Sequence, residues 1–113
     1  MLEDHIRLEI KAAIHQEIDH LRGEIEKLKE QTKPIAPDRA IGRLTRMEAI
    51  QSKSISEANL RKAQQRVTSL TRALPLVDEE DFGECGRCGR AIPVKRLLLM
   101  PESKTCVRCL ERR

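Results

Sequence analysis

Four cysteines, Cys85, Cys88, Cys106 and Cys109, stand as two Cys-x2-Cys pairs separated by 17 residues in the stretch CGRCGRAIPVKRLLLMPESKTCVRC. A two-residue gap lets both thiolates of one tight turn reach the same ion, and two such knuckles supply the four ligands of a closed tetrahedral Zn2+ site. Because four sulfur ligands leave no coordination position for water, such a metal is structural and not hydrolytic. Gly86 inside the first knuckle and Gly89 just after it suit a turn that needs backbone freedom. Arg87 and Val107 occupy variable knuckle positions and need not matter to the metal.

Other uses of the cysteines fit less well. Disulfides suit a secreted chain, but the opening MLEDHIRLEIK is too polar for a leader peptide. A redox Cys-x2-Cys pair belongs in a βαβ unit with a helix following the first cysteine, against which stand Pro93 and the second matching pair. No set of nucleophile, base and oxyanion donors can be assembled from the remaining residues, so no enzyme is expected.

The elements that must position this knot are constrained by composition. Of 113 residues 35% are charged and a single one, Phe82, is aromatic, so a compact core of ordinary depth cannot be built. A metal staple and long helices are the remaining solution. No apolar run approaches the roughly 18 residues needed to cross a bilayer, which argues against a membrane span. Net charge is +4, unevenly placed: after Cys85, the basic Arg87, Arg90, Lys95, Arg96, Lys104, Arg108, Arg112 and Arg113 are opposed only by Glu102 and Glu111. Four thiolates around a divalent ion leave about two negative charges, which nearby cations would offset. With no Tyr or Trp to stack on bases, that excess reads as neutralisation and protein contact before it reads as a nucleic-acid surface.

Residues 2 to about 32 predict one long helix. Ile6, Ile10, Ile14, Ile18, Leu21, Ile25 and Leu28 recur in steps of three and four, with charged residues outside the stripe. His5, His15 and His20 share no i, i+4 spacing for metal ligation and read as surface residues. Pro34 and Pro37 then end the helix and reverse the chain. From Asp38 to about Val77 a second helix carries the seam Leu60, Ala63, Val67, Leu70, Leu74 and Val77. A turn centred near residue 36 would bring Leu60 level with Ala13, Ala63 with Ile10 and Val67 with Ile6. Pro75 either kinks this helix or marks its end. Beyond an acidic connector, in which Phe82 should pack against the hairpin base or the finger, Ile92, Val94, Leu97, Leu98 and Leu99 are expected to form the small finger core. The fold class is therefore mainly α: a long antiparallel two-helix coiled-coil hairpin over residues 1–77, its tip near 33–42, and a small C-terminal four-cysteine zinc-finger module over 78–113.

Taken together, DFGECGRCGRAIPVKRLLLMP followed by TCVRC closely resembles the C4 zinc finger of the DksA/TraR family of bacterial regulators, which bind RNA polymerase. Asp81-Phe82-Gly83, Ile92-Pro93, Arg96-Leu97 and Pro101 recur in that family with the same cysteine spacing, and the hairpin extends the resemblance over nearly the whole chain. The resemblance implies a cytoplasmic transcription regulator whose coiled coil enters the polymerase secondary channel, with Asp38, Arg39 and Ala40 as the tip. It also implies polymerase contacts at Asn59 and Lys62. Departures accompany it. Ile35 stands where longer members have a second tip aspartate, and Ser69, Met100 and Leu110 stand at the family's basic positions for guanosine tetraphosphate, so dependence on that nucleotide is not expected. Direct sequence-specific DNA binding is not expected either. The alternatives that the residues leave open are a nucleic-acid-binding zinc module and a passive coiled-coil adaptor.

Overall fold

The computed structural model describes residues 2–34 and 43–111. Its elements are α1 (Asp4–Gln31), α2 (Arg43–Ala73), a 3-10 turn (Leu74–Asp78), α3 (Val94–Leu99) and α4 (Val107–Glu111). The chain divides into two compact units: residues 20–67, and residues 1–19 together with 68–113. Among the described residues no helix is long and apolar enough to cross a membrane.

α1 starts where the Glu3 carbonyl accepts the Ile6 and Arg7 amides, both at 3.1 Å. Asp4 in its first turn and Lys29 in its last both complement the helix dipole. It ends as the sequence requires, ahead of Pro34: the Thr32 amide closes onto the Leu28 carbonyl at 3.0 Å and its Oγ1 donates to the Lys29 carbonyl at 3.1 Å. α2 stops at Ala73, short of the Val77 to which its apolar seam runs, because Pro75 lies in the first positions of the 3-10 turn that follows. Proline has no amide to continue the α ladder, so the chain tightens instead of kinking.

In the unit of residues 1–19 and 68–113, Ile10 and Ile14 are completely buried, as are Leu70 and Val77, with Ile18 and Ala73 nearly so. The helices run antiparallel. Lys11 Nζ meets Asp78 Oδ2 at 2.6 Å, and Arg7 Nη1 donates to the carbonyls of Val77 and Glu79, the latter at 2.9 Å. That pairing sets Ile10 level with Val77 and Ile14 level with Ala73. In the unit of residues 20–67, Ser56 Oγ donates to Gln31 Oε1 at 2.9 Å, which gives the same antiparallel register. Pairing from a turn at residue 36 is thereby corrected: the helices slide by about two heptads, an offset that leaves apolar positions facing apolar positions because the seam repeats every seven residues. Among the described residues of 20–67, Ala63 alone is buried, while Leu21, Ile25, Leu28, Leu60 and Val67 stay half-exposed. Two helices with no third layer can cover each other along one seam only.

The finger core is smaller than the sequence suggests. Ile92 and Leu97 are buried, Val94 and Leu98 are half-buried, and Leu99 is 73% exposed. α3 is six residues long, so one apolar face is all it can offer, and Leu99 falls off it. Pro101, which enters the sequence reading only through the family resemblance, is buried. Half-buried Phe82 lines a groove with Ala73, Leu76 and Pro101, which is the packing role expected of it.

Candidate metal centre

The first knuckle is built by two backbone bonds: the Gly89 amide donates to the Cys85 carbonyl at 2.9 Å, and the Cys85 amide donates to the Arg90 carbonyl at 2.8 Å. Gly89 closes the turn with φ at 73°, a conformation in which a side chain would be strained. An antiparallel bridge between Glu84 and Ala91 holds together the two stretches entering and leaving it. The second knuckle leads into α4, where the Leu110 amide closes onto the Cys106 carbonyl at 3.0 Å. Gly86 has an ordinary φ. Its contribution is a backbone bond: the amide donates to the Lys104 carbonyl at 2.8 Å.

These turns bring all four sulfurs, of Cys85, Cys88, Cys106 and Cys109, within 4.8 Å of one another. Cys88 Sγ and Cys106 Sγ are 3.7 Å apart. A tetrahedral Zn2+ with Zn–S bonds of about 2.3 Å requires sulfurs about 3.8 Å apart, whereas a disulfide requires about 2.05 Å. The cysteines are free thiols, and their spacing fits the ion. Cys85, Cys106 and Cys109 are buried, while Cys88 is exposed.

Electrostatically the four thiols are unequal. The Cys106 amide, which donates to Cys85 Sγ at 3.3 Å, is the main cause that pulls the Cys85 thiol down to about 5 from its ordinary 9.0, with the Cys88 amide adding to it. Cys106 is lowered too, chiefly by the Cys109 amide. Burial pushes Cys109 up to about 12, and the thiols beside it add to the rise. Backbone dipoles thus favour the thiolate at two of the four positions, and a divalent cation is the group that stabilises all four. Once bound, the ion ties the two knuckles and supplies folding energy to a module whose own core is little more than Ile92, Leu97 and Pro101.

Two cations of the basic C-terminal stretch bond to the finger's own polar groups. Arg96 Nε donates to the Thr105 carbonyl at 3.4 Å and its Nη2 to Ser103 Oγ at 3.3 Å, bracing the segment that delivers Cys106. Arg87 Nη1 donates to the Cys109 carbonyl at 3.3 Å, so a knuckle position that the sequence marks as dispensable contacts the opposite knuckle. The signal that could have found it is the excess of basic residues around a site that carries negative charge. Of the residues singled out by resemblance, Asn59 and Lys62 are exposed on α2. Asp38, Arg39 and Ala40 lie outside the described residues.

Comparison with known proteins bears on both parts of the chain. Residues 80–113 match the family described as prokaryotic dksA/traR C4-type zinc finger. The fold matches that of the transcription factor DksA2 from Pseudomonas aeruginosa with a TM-score of 0.71 at 18% identity, covering 97% of this chain and 84% of that one. At that identity the likeness is one of fold. Among curated proteins, none matches.

Proposed function

We propose that this chain, which carries a C4 zinc finger of the DksA/TraR family, is a bacterial transcription regulator that acts by binding RNA polymerase and not by reading promoter DNA. The observation that carries the reading is a conjunction: a finger of that family stands on two antiparallel helices whose fold is shared, over 97% of the chain, with a transcription factor. In this reading the finger fixes the hairpin base and the hairpin enters the secondary channel. Asp38, flanked by Arg39 and Ala40, is the group presented near the catalytic region, and Asn59 and Lys62 meet the polymerase along the way. Lys62 offers a point charge there, without the planar fork of an arginine. Zn2+ has a structural part only, and guanosine tetraphosphate is not required. The setting is the reducing cytoplasm, where the four cysteines stay reduced and able to hold the ion.

The nucleic-acid alternative loses ground because Arg87 and Arg96 direct their guanidinium groups at the finger's own carbonyls. The test of the tip is transcription in vitro from a responsive promoter with the Asp38→Asn variant. Normal polymerase binding with lost regulation is the expected result. Regulation indistinguishable from wild type would sink the tip role.

A further inference from the structure

Among the described residues, three N–H hydrogen bonds join the two knuckles directly. Two are made by backbone amides: Gly86 donates to the Lys104 carbonyl, and Cys106 donates to the sulfur of the ligand Cys85. The third comes from a side chain: Arg87 Nη1 reaches from between the first two ligands to the carbonyl of Cys109, the last ligand, while the Arg87 amide also lies 3.4 Å from Cys85 Sγ. The residue is thus attached to the ligand set at both ends, through its amide at one knuckle and its guanidinium at the other.

We infer that Arg87 is the positioning residue of the zinc centre, a cationic latch that holds the second knuckle closed by its bond to the Cys109 carbonyl and sets how firmly the ion is retained. A four-thiolate zinc centre carries about two net negative charges, and a cation at its edge lowers the energy of the loaded state more than that of the empty one. A guanidinium is weakly hydrated, so holding it at the Cys109 carbonyl costs little desolvation. By contrast Arg90, just beyond the first knuckle, takes part in the turn through its backbone carbonyl, which any residue provides. The inference concerns metal retention and stands whether or not the protein binds polymerase.

The experiment follows zinc release from the full chain to a chromophoric chelator in excess, for wild type, Arg87→Gln, Arg87→Lys and Arg90→Gln. The Co2+ absorption spectrum and the helical melt of each variant are recorded alongside. Removal of a partner that orients a metal ligand typically changes affinity by 10–100-fold, so Arg87→Gln is expected to release zinc about tenfold faster. Arg87→Lys, which keeps the charge, and Arg90→Gln should stay close to the wild-type rate, with four-sulfur Co2+ spectra unchanged throughout. Raising ionic strength should speed release from wild type and have little effect on Arg87→Gln, a readout that loss of packing alone would not move. Wild-type release from Arg87→Gln overturns the inference. So does equal acceleration in Arg87→Gln and Arg90→Gln, or release from Arg87→Lys as fast as from Arg87→Gln.

Discussion

Ile14 offers the sharpest test of how the helices are held together. It is 0% exposed in α1, flanked one turn away on each side by buried Ile10 and Ile18, and level with Ala73 of α2. Replacement by alanine removes three carbons, worth about 2.4 kcal/mol at ~0.8 kcal/mol per buried methylene. The small partner Ala73 cannot extend into the space, so a cavity contribution adds to the transfer loss, and the total should reach about 3 kcal/mol. A domain of this size is stable by only about 5–15 kcal/mol, so the change removes a large fraction of the total. The assay is urea unfolding of zinc-loaded protein followed by circular dichroism at about 222 nm, where helix absorbs, with Leu8→Ala as the internal reference. Leu8 lies on the same helix but is 65% exposed, and its truncation should cost less than about 0.5 kcal/mol. Equal midpoints for the two variants would refute the burial of Ile14 in the seam.

Stripping zinc with a strong chelator should destabilise the finger while most of the α1 and α2 helicity remains, seen as a lowered melt and a partial loss of ellipticity; an unchanged melt would count against structural zinc. Gly89→Ala should destabilise by about 1–2 kcal/mol in urea unfolding, purely through the backbone, since φ is 73° there and nothing lies within 4 Å of a Cβ. Acidity should act on the metal-free protein through Cys85, whose thiol is depressed to about 5 in the folded chain from 9.0. Its contribution is complete above about pH 9, fades as pH falls and is gone below about pH 5, so the melting temperature should drop on acidification across that window. Cys109, raised to about 12, acts in the opposite sense: its contribution is complete below about pH 9 and is lost as pH rises toward 12. A melt that is flat from about pH 9 to 5 would contradict the hydrogen bond from the Cys106 amide.

The metal centre is legible in the sequence because its ligands are fixed by chemistry: no other residue type at Cys85, Cys88, Cys106 and Cys109 supplies four thiolates at that spacing, and the sulfurs do converge. Helix α1 is legible too, since Pro34 and the isoleucine stripe mark its end and its face. Register is not. A seven-residue repeat looks the same after any whole number of heptads, and the choice among offsets rests on polar pairs such as Lys11 with Asp78 and Gln31 with Ser56, which the apolar pattern does not encode. Leu99 departs from expectation for a related reason: a run of three leucines has no periodicity from which to tell that the third faces outward. Arg87 escapes a reading of local spacing because it makes its contact across 22 positions of chain, and only the folded knot brings it to Cys109.

The central claim, that this protein regulates transcription by occupying a site on RNA polymerase, is tested most directly by competition. Zinc-loaded protein is titrated against core polymerase carrying a labelled secondary-channel binder, with a variant lacking residues 35–40 of the hairpin measured in parallel. Displacement of the label by the full chain, and weaker or no displacement by the tip deletion, is the predicted result. Retention of the label at saturating protein, with both the finger and the helices intact, would contradict the claim.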